Sequence, residues 1–270
     1  MTSSQTAPLA HEDDAVELDR LLALALDAVR AGARLGLDPG EELRIDTKRN
    51  RNDVVTQVDR GIEALIAERL APTGHPLLGE EGHAVDSFAG LVWVLDPIDG
   101  TMNYVETHRD YAVSLALCED GTPVLGVVAD VVAGRIYHAI RGQGAWVDGV
   151  PLTQATDVPT YRDAIIITDI KEILALPRLA RALQDSRGHR RYGSAALECV
   201  EVAVGRAGAF VHMWVSPWDI AAATLIATEC GALATRLDGT PLDARYKGSI
   251  LLGTPNVHAT LVECLMSSVQ

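Results

Sequence analysis

Residues 111–152 constrain the fold of this chain more tightly than any other stretch. The short runs YAVSLAL, VLGVVADVV, IYHAI and AWVDG are separated by EDG, AGR and GQG. Runs so close together leave no room for crossover helices, so neighbouring strands must pair antiparallel, as a meander rather than as βαβ units. Before the meander, residues 15–36 read as a helix with Val16, Leu18, Leu22, Leu26 and Val29 on one face. Acids at 12–14, and Arg30 and Arg34 near the far end, suit the helix dipole, and Gly36 stops it. A second amphipathic helix spans about 58–70 (Ile62, Leu65, Ile66, Leu70), until Pro72 and Gly74. After about residue 160, shorter strands such as AIIIT alternate with helices expected at 171–184, 195–205 and 219–230. The pattern predicts a layered α/β protein.

At 270 residues the chain can bury a substantial interior, and 48% apolar with 22% charged residues reads as globular and soluble. The run LLALAL is cut by Asp27, and no run reaches the ~18 residues of a membrane span. The opening MTSSQTAPLAHEDD has no basic and apolar regions of an export signal, so residues 1–14 are expected to be a disordered tail. Cys118, Cys199, Cys230 and Cys264 show neither CxxC nor Cys/His metal spacing, which fits buried thiols in a reducing cytoplasm. A formal net charge of −14 argues against a nucleic-acid or anionic-membrane partner. A phosphate remains admissible if cations stand between it and the protein.

The stretch WVLDPIDGTMNYV (93–105) ends an apolar run in two aspartates three positions apart. Pro97 fixes its own φ and pushes Asp96 to an extended conformation, and Asp-Pro favours a type I turn over Asp96–Asp99. Such a turn aims both carboxylates and a carbonyl at one point. At an effective dielectric near 20, two charges ~4 Å apart repel by ~4 kcal/mol, so a cation is called for. Oxygen-only donors suit a hard ion such as Mg²⁺. An exposed turn whose charges face water is the plainer alternative. Gly100 permits close backbone approach, and Thr101 can cap a short helix whose free N–H groups point at an anion. Glu80 and Glu81 in GEEG could join the cluster or be solvated surface. Asp219, in VSPWDIAAATLIATECGA, could join it or only complement a helix N-terminus, and Asp59 could only be a cap.

Together these pieces resemble the inositol monophosphatase family of Mg²⁺-dependent, lithium-sensitive sugar phosphatases, bacterial members most of all. The matching segments are K-x4-D-V-V-T-x2-D (Lys48 to Asp59), G-E-E (79–81), D-P-I-D-G-T-x-N (96–103), G-S-A-A (193–196) and P-W-D-x-A-A (217–222), and the meander looks like the family's central sheet. The resemblance implies an αβαβα five-layer sandwich with a large, mostly antiparallel sheet and a smaller second one. The change of texture near 155–160 divides one compact phosphatase unit into a metal-binding α+β half (15–158) and a C-terminal α/β half (159–270), and the resemblance adds, usually, a homodimer. The resemblance implies two or three Mg²⁺: Glu80, Asp96 and the Ile98 carbonyl on one, Asp96, Asp99 and Asp219 on a second, Glu80 and waters on a weaker third. Asp59 and Thr101 would orient and deprotonate the attacking water, with Glu81 nearby in the hydrogen-bond network and Lys48 as a supporting residue. Gly100 and Thr101 would grip phosphate through their N–H groups, and Asp99, Gly193, Ser194, Ala195 and Asp219 would face the alcohol.

Charge agrees with this assignment. Asp59, Glu80, Glu81, Asp96, Asp99 and Asp219 sum to a formal −6, which two or three divalent ions nearly cancel. A metal pair can both activate water and stabilise the leaving alkoxide, and phosphate monoesters need both. The departure is His212, seven residues before Asp219, where inositol-selective animal enzymes carry a glutamate. It is either a substrate contact or a packed imidazole, and it relaxes the expectation of strict inositol preference. The expected activity is hydrolysis of inositol monophosphate, with NADP(H), fructose 1,6-bisphosphate or histidinol phosphate as alternative substrates. A regulatory binding protein with a relic metal site is the alternative from another class. Three lysines without GxxxxGK[ST] exclude a P-loop NTPase, and D-x-x-D differs from the D-x-D of haloacid-dehalogenase-type phosphatases.

Overall fold

The computed structural model describes residues 12–40, 44–47, 54–243 and 245–267, so Lys48 and residues 1–11 of the expected tail lie outside the described residues. The chain enters α1 (Glu12–Leu37), the antiparallel pair β1 (Ile45–Thr47) and β2 (Val54–Thr56), and α2 (Gln57–Leu70). Next come β3 (Leu77–Gly79), β4 (Leu91–Asp99) and the short α3 (Thr101–Glu106). The meander follows as β5 (Ala112–Glu119), β6 (Thr122–Asp130), β7 (Arg135–Ile140), β8 (Gly144–Val147) and β9 (Val150–Pro151). Then come β10 (Ile165–Ile167), α4 (Ile170–Ala175), α5 (Pro177–Asp185), β11 (Gly188–Arg190), α6 (Ala195–Ala203), β12 (Ala209–Val215), α7 (Pro217–Glu229), β13 (Leu233–Thr235), β14 (Gly248–Gly253) and α8 (Pro255–Met266).

The larger sheet runs β3 to β9 in sequence order, antiparallel throughout except for the parallel pair β3–β4. The smaller has the order β11-β10-β12-β14-β13, with β10 parallel to both its neighbours. Helices α1 and α2 cover one face of the large sheet, α6 and α7 fill the space between the sheets, and α5 and α8 cover the outer face of the small one. This is the five-layer αβαβα arrangement. Its central core packs Val94, Ala116 and Val128 of the large sheet with Ala222 and Ile226 of α7 and Phe210 and Leu252 of the small sheet. Helix α7 is apolar nearly all round because both its sides are buried. A Cβ on Gly126 would stand 2.7 Å from the Ala222 carbonyl oxygen, so α7 approaches β6 at a separation that requires glycine.

Four local expectations change. Helix α1 begins at Glu12 and takes in residues 12–14, as acidic residues are favoured in a first turn. Its buried stripe is Leu18, Leu21, Ala25, Ala28 and Val29, leaving Val16 at 69% exposure. Small residues face inward there because α1 packs closely against α2 and the sheet. The helix expected at 171–184 is two helices, α4 and α5, broken at Leu176 (φ −119°, ψ 87°) because Pro177 excludes the α conformation from the residue before it. The DPID segment is no type I turn: β4 continues through it to Asp99, with a register irregularity between Asp96 and Asp99 against β5. Pairing with β5 overrides the local turn preference, and the bulge re-aims the side chains.

Candidate active site

The C-terminal end of β4 opens into a cavity of about 280 Å³. Glu80 comes from the loop after β3, Asp96, Ile98 and Asp99 from the bulged end of β4, and Gly100 and Thr101 from the turn into α3. Gly193 and Ala195 arrive from the loop into α6, His212 from β12 and Asp219 from α7. Ser194 lies behind this wall, fully buried. Glu81 follows Glu80 outside the cavity lining.

Each aspartate also has a local structural task. Asp59, fully buried, closes a capping box at the start of α2: its Oδ2 accepts from the Thr56 N–H at 2.8 Å and from the Thr56 hydroxyl. Its other oxygen, Oδ1, accepts from the Thr101 hydroxyl at 3.1 Å, and that hydroxyl also lies 3.0 Å from the Ile98 carbonyl oxygen. Thr101 is therefore not the cap expected of it. Gly100, left-handed at φ +94°, takes the N-cap position of α3, which frees the Thr101 side chain to face Asp59.

Asp99 receives the Ser194 hydroxyl and the Ala196 N–H (2.6 Å) on Oδ2 and the Ala195 N–H (3.2 Å) on Oδ1. Asp219 completes the capping box of α7 through the Ser216 N–H at 2.7 Å. Asp96 accepts the Ile98 N–H at 3.1 Å.

Burial dominates the electrostatics. It pushes Asp96 well above the usual carboxylate range, reinforced by the like charges of Glu80, Asp99, Asp219 and Asp59. Asp219 is raised likewise, by burial and then by Asp99. Burial raises Asp99 to about 6 against the lowering effect of its bonds to Ser194, Ala196 and Ala195. Asp59 is raised by burial and held back by Thr56. Acids so placed need a positive charge, and the donors are all oxygen, the set a hard divalent cation prefers. The chemistry fits Mg²⁺, although among the described residues no three His, Cys, Asp or Glu side chains stand closed around one point.

His212 lines the wall half-buried. Its Nδ1 accepts the Trp214 N–H at 3.1 Å, and burial holds the imidazole below its ordinary value, opposed by Glu172. Trp214, 67% exposed, and the ion-paired Arg191 and Asp169 share the wall. Sequence reasoning missed all three. For Trp214 the signal was its two-residue offset from His212 on one strand, which puts both on the same face. Two buried glutamates were also missed. Glu198 accepts the Tyr192 and Gly193 N–H groups on one oxygen at 2.6 and 2.8 Å, and Glu63 holds the loop bearing Glu80. Each interrupts the apolar face of its helix, which was a readable sign.

Comparison with known proteins agrees with this geometry. The sequence profile of the inositol monophosphatase family matches residues 17–270. Inositol-1-monophosphatase of Bacillus subtilis is 38% identical over 242 residues, covering 86% of this chain and 91% of its own. Inositol monophosphatase-II of Staphylococcus aureus superposes with a TM-score of 0.83 at 34% identity, covering 92% of this chain and 96% of that one. An inositol monophosphatase/NADP phosphatase solved with Mg²⁺ and phosphate gives 0.83 at 29% identity, covering 93% and 96%. With the profile spanning nearly the whole sequence and the same fold carrying the acids into one cavity, the chain belongs to the inositol monophosphatase family of phosphatases.

Proposed function

We propose that this chain is a Mg²⁺-dependent phosphomonoesterase that hydrolyses inositol monophosphate by direct attack of water. The observation that carries the reading is the Asp59–Thr101 pair standing beside Asp96, Asp99, Asp219 and Glu80 in one cavity. Glu80, Asp96, the Ile98 carbonyl, Asp99 and Asp219 would hold two or three ions. Bound there, Mg²⁺ supplies charge neutralisation and Lewis-acid polarisation of phosphoryl oxygens. The chain itself supplies the proton path. The Thr101 hydroxyl stands within hydrogen-bond reach of both Asp59 Oδ1 (3.1 Å) and the Ile98 carbonyl (3.0 Å); with its hydrogen on Asp59, its oxygen can accept a proton from water as its own passes to Asp59. Asp59 is the better acceptor for being buried and raised. Gly100 and Thr101 bind phosphate through the backbone, and Gly193, Ala195 and His212 border the alcohol, with Ser194 behind them holding Asp99. No Ser, Cys or His nucleophile is required.

A broader substrate range is the second reading, supported by His212, Trp214 and Arg191 on the cavity wall, which suit groups other than a polyol. The homodimer and the cytoplasmic location are carried by the resemblance, and sedimentation velocity tests the former. The deciding experiment is a Mg²⁺-supplemented phosphate-release screen over inositol monophosphates, fructose 1,6-bisphosphate, histidinol phosphate and NADP⁺, with Asp96→Asn as control. Asp96→Asn is expected to abolish release while the protein stays folded. Unchanged turnover in that variant rejects the site, and a wild-type protein inert towards every substrate favours the regulatory reading.

A further inference from the structure

Helix α2 presents two buried carboxylates four residues apart, hence on one face: Asp59, fully buried, and Glu63, 3% exposed. Asp59 reaches the cavity through Thr101, whereas Glu63 points into the loop after β3. Its Oε2 accepts the Glu81 N–H at 2.8 Å, and its Oε1 accepts the His83 N–H at 3.1 Å and lies 2.7 Å from His83 Nδ1. The loop is closed by the Gly79 N–H donating to the His83 carbonyl at 2.8 Å, so the carboxylate sits inside it as an internal anion. A Cβ on Gly79 would fall 2.4 Å from Glu63 Oε2, so a side chain at residue 79 would force the carboxylate out of this position. Glu80, between the two gripped positions and β3, is the residue of this loop that lines the cavity.

We propose that Glu63 is a positioning residue for divalent-metal binding: its carboxylate fixes the backbone that presents Glu80, and so tunes the affinity of the site without touching metal or substrate. The proposal rests on the Mg²⁺ reading of the cavity above. The β3–β4 pairing alone leaves the loop loosely specified, since β3 is three residues long and the Glu80 N–H reaches the Leu95 carbonyl only at 3.3 Å. With Glu63 in place, the same helix sets both the Asp59–Thr101 pair and the Glu80 loop, so the two sides of the cavity keep a fixed spacing. Residues that orient a ligand from behind typically change metal affinity by about 10–100-fold when altered.

The test is Glu63→Gln, because glutamine keeps the size but turns one acceptor into a donor facing a backbone N–H. Isothermal titration with Mg²⁺ alone is expected to show binding about 10–100-fold weaker than wild type. Turnover at saturating Mg²⁺ should stay within about threefold, and amide exchange at Glu81 and His83 should quicken. The gap in melting temperature between Mg²⁺-loaded and metal-free protein should shrink, which a purely structural role would leave unchanged. Should Glu63→Gln fail to fold, His83→Ala removes one arm at a half-exposed side chain and should weaken Mg²⁺ by a few-fold, on the order of three. Affinity within twofold of wild type in Glu63→Gln, or unaltered in His83→Ala where only that variant folds, overturns the proposal while the metal site stands. A wild-type protein that binds no Mg²⁺ brings down the metal reading itself, and this inference with it.

Discussion

Glu198→Gln isolates one buried charge beside the cavity. The side chain is 5% exposed, and burial pushes its carboxyl up to about 7 from an ordinary 4.5, with the nearby Asp99 adding to the rise. Both of its hydrogen bonds, from Tyr192 and Gly193, end on the same oxygen, so a glutamine with its carbonyl there keeps them and loses only the charge. The folded protein binds this proton more tightly than the unfolded chain does. The associated stability is therefore fully present below pH 4.5 and is lost as pH rises through about 7. At ~1.4 kcal/mol per pH unit the whole loss is on the order of 3 kcal/mol, most of it between pH 5 and pH 8. Every other group titrates in both proteins to first order. Wild type minus Glu198→Gln, measured by urea unfolding in EDTA at half-unit pH steps, should thus fall by roughly 2–3 kcal/mol across that window. A difference constant to within about 0.5 kcal/mol, or one growing with pH, would refute the claim that this carboxylate is buried and raised.

Two further outcomes follow from the same geometry. Thr101→Ala removes the hydroxyl bonded to Asp59 and, on the proposed proton path, should lower kcat by about 10²–10⁴-fold with KM nearly unchanged, as steady-state phosphate release will show. Gly79→Ala drives a methyl into the Glu63 carboxylate and should cost about 1–3 kcal/mol in urea unfolding, whereas an equally stable variant would mean that the carboxylate is not held tightly in the loop.

What the sequence disclosed, and what it hid, has physical causes. The meander was legible because apolar runs separated by Asp-Gly and Gly turns leave one pairing, and the structure has it. The cavity's acids were legible because each stands at the edge of an apolar run, where a charge is conspicuous. The continuation of β4 through DPID was not, since a turn preference is local and the pairing with Ala112 that overrides it comes from residues thirteen positions on. The break at Leu176 was readable from Pro177, but an apolar rhythm running across it suggested one helix. Arg191 and Asp169 join the wall only through tertiary packing, their ion pair spanning 22 residues of sequence, and no local pattern marks them.

For Asp59 and Asp219 the sequence left two explanations open, a helix cap or a member of a charged cluster. In the folded chain these are one arrangement. Asp59 gives Oδ2 to the start of α2 and Oδ1 to Thr101. Asp219 gives Oδ2 to the cap of α7 while still lining the cavity, and Asp99 takes the first N–H groups of α6. Three helix N-termini, each with partial positive charge, therefore meet the carboxylates that repel one another. For Asp99 the effect is explicit: its bonds to Ser194, Ala196 and Ala195 work against burial and hold it to about 6. Caps of this kind supply part of the positive charge that lets a cluster of buried acids stand together. Function here is not added to the scaffold after folding. The same hydrogen bonds that start the helices fix where the negative charge stands.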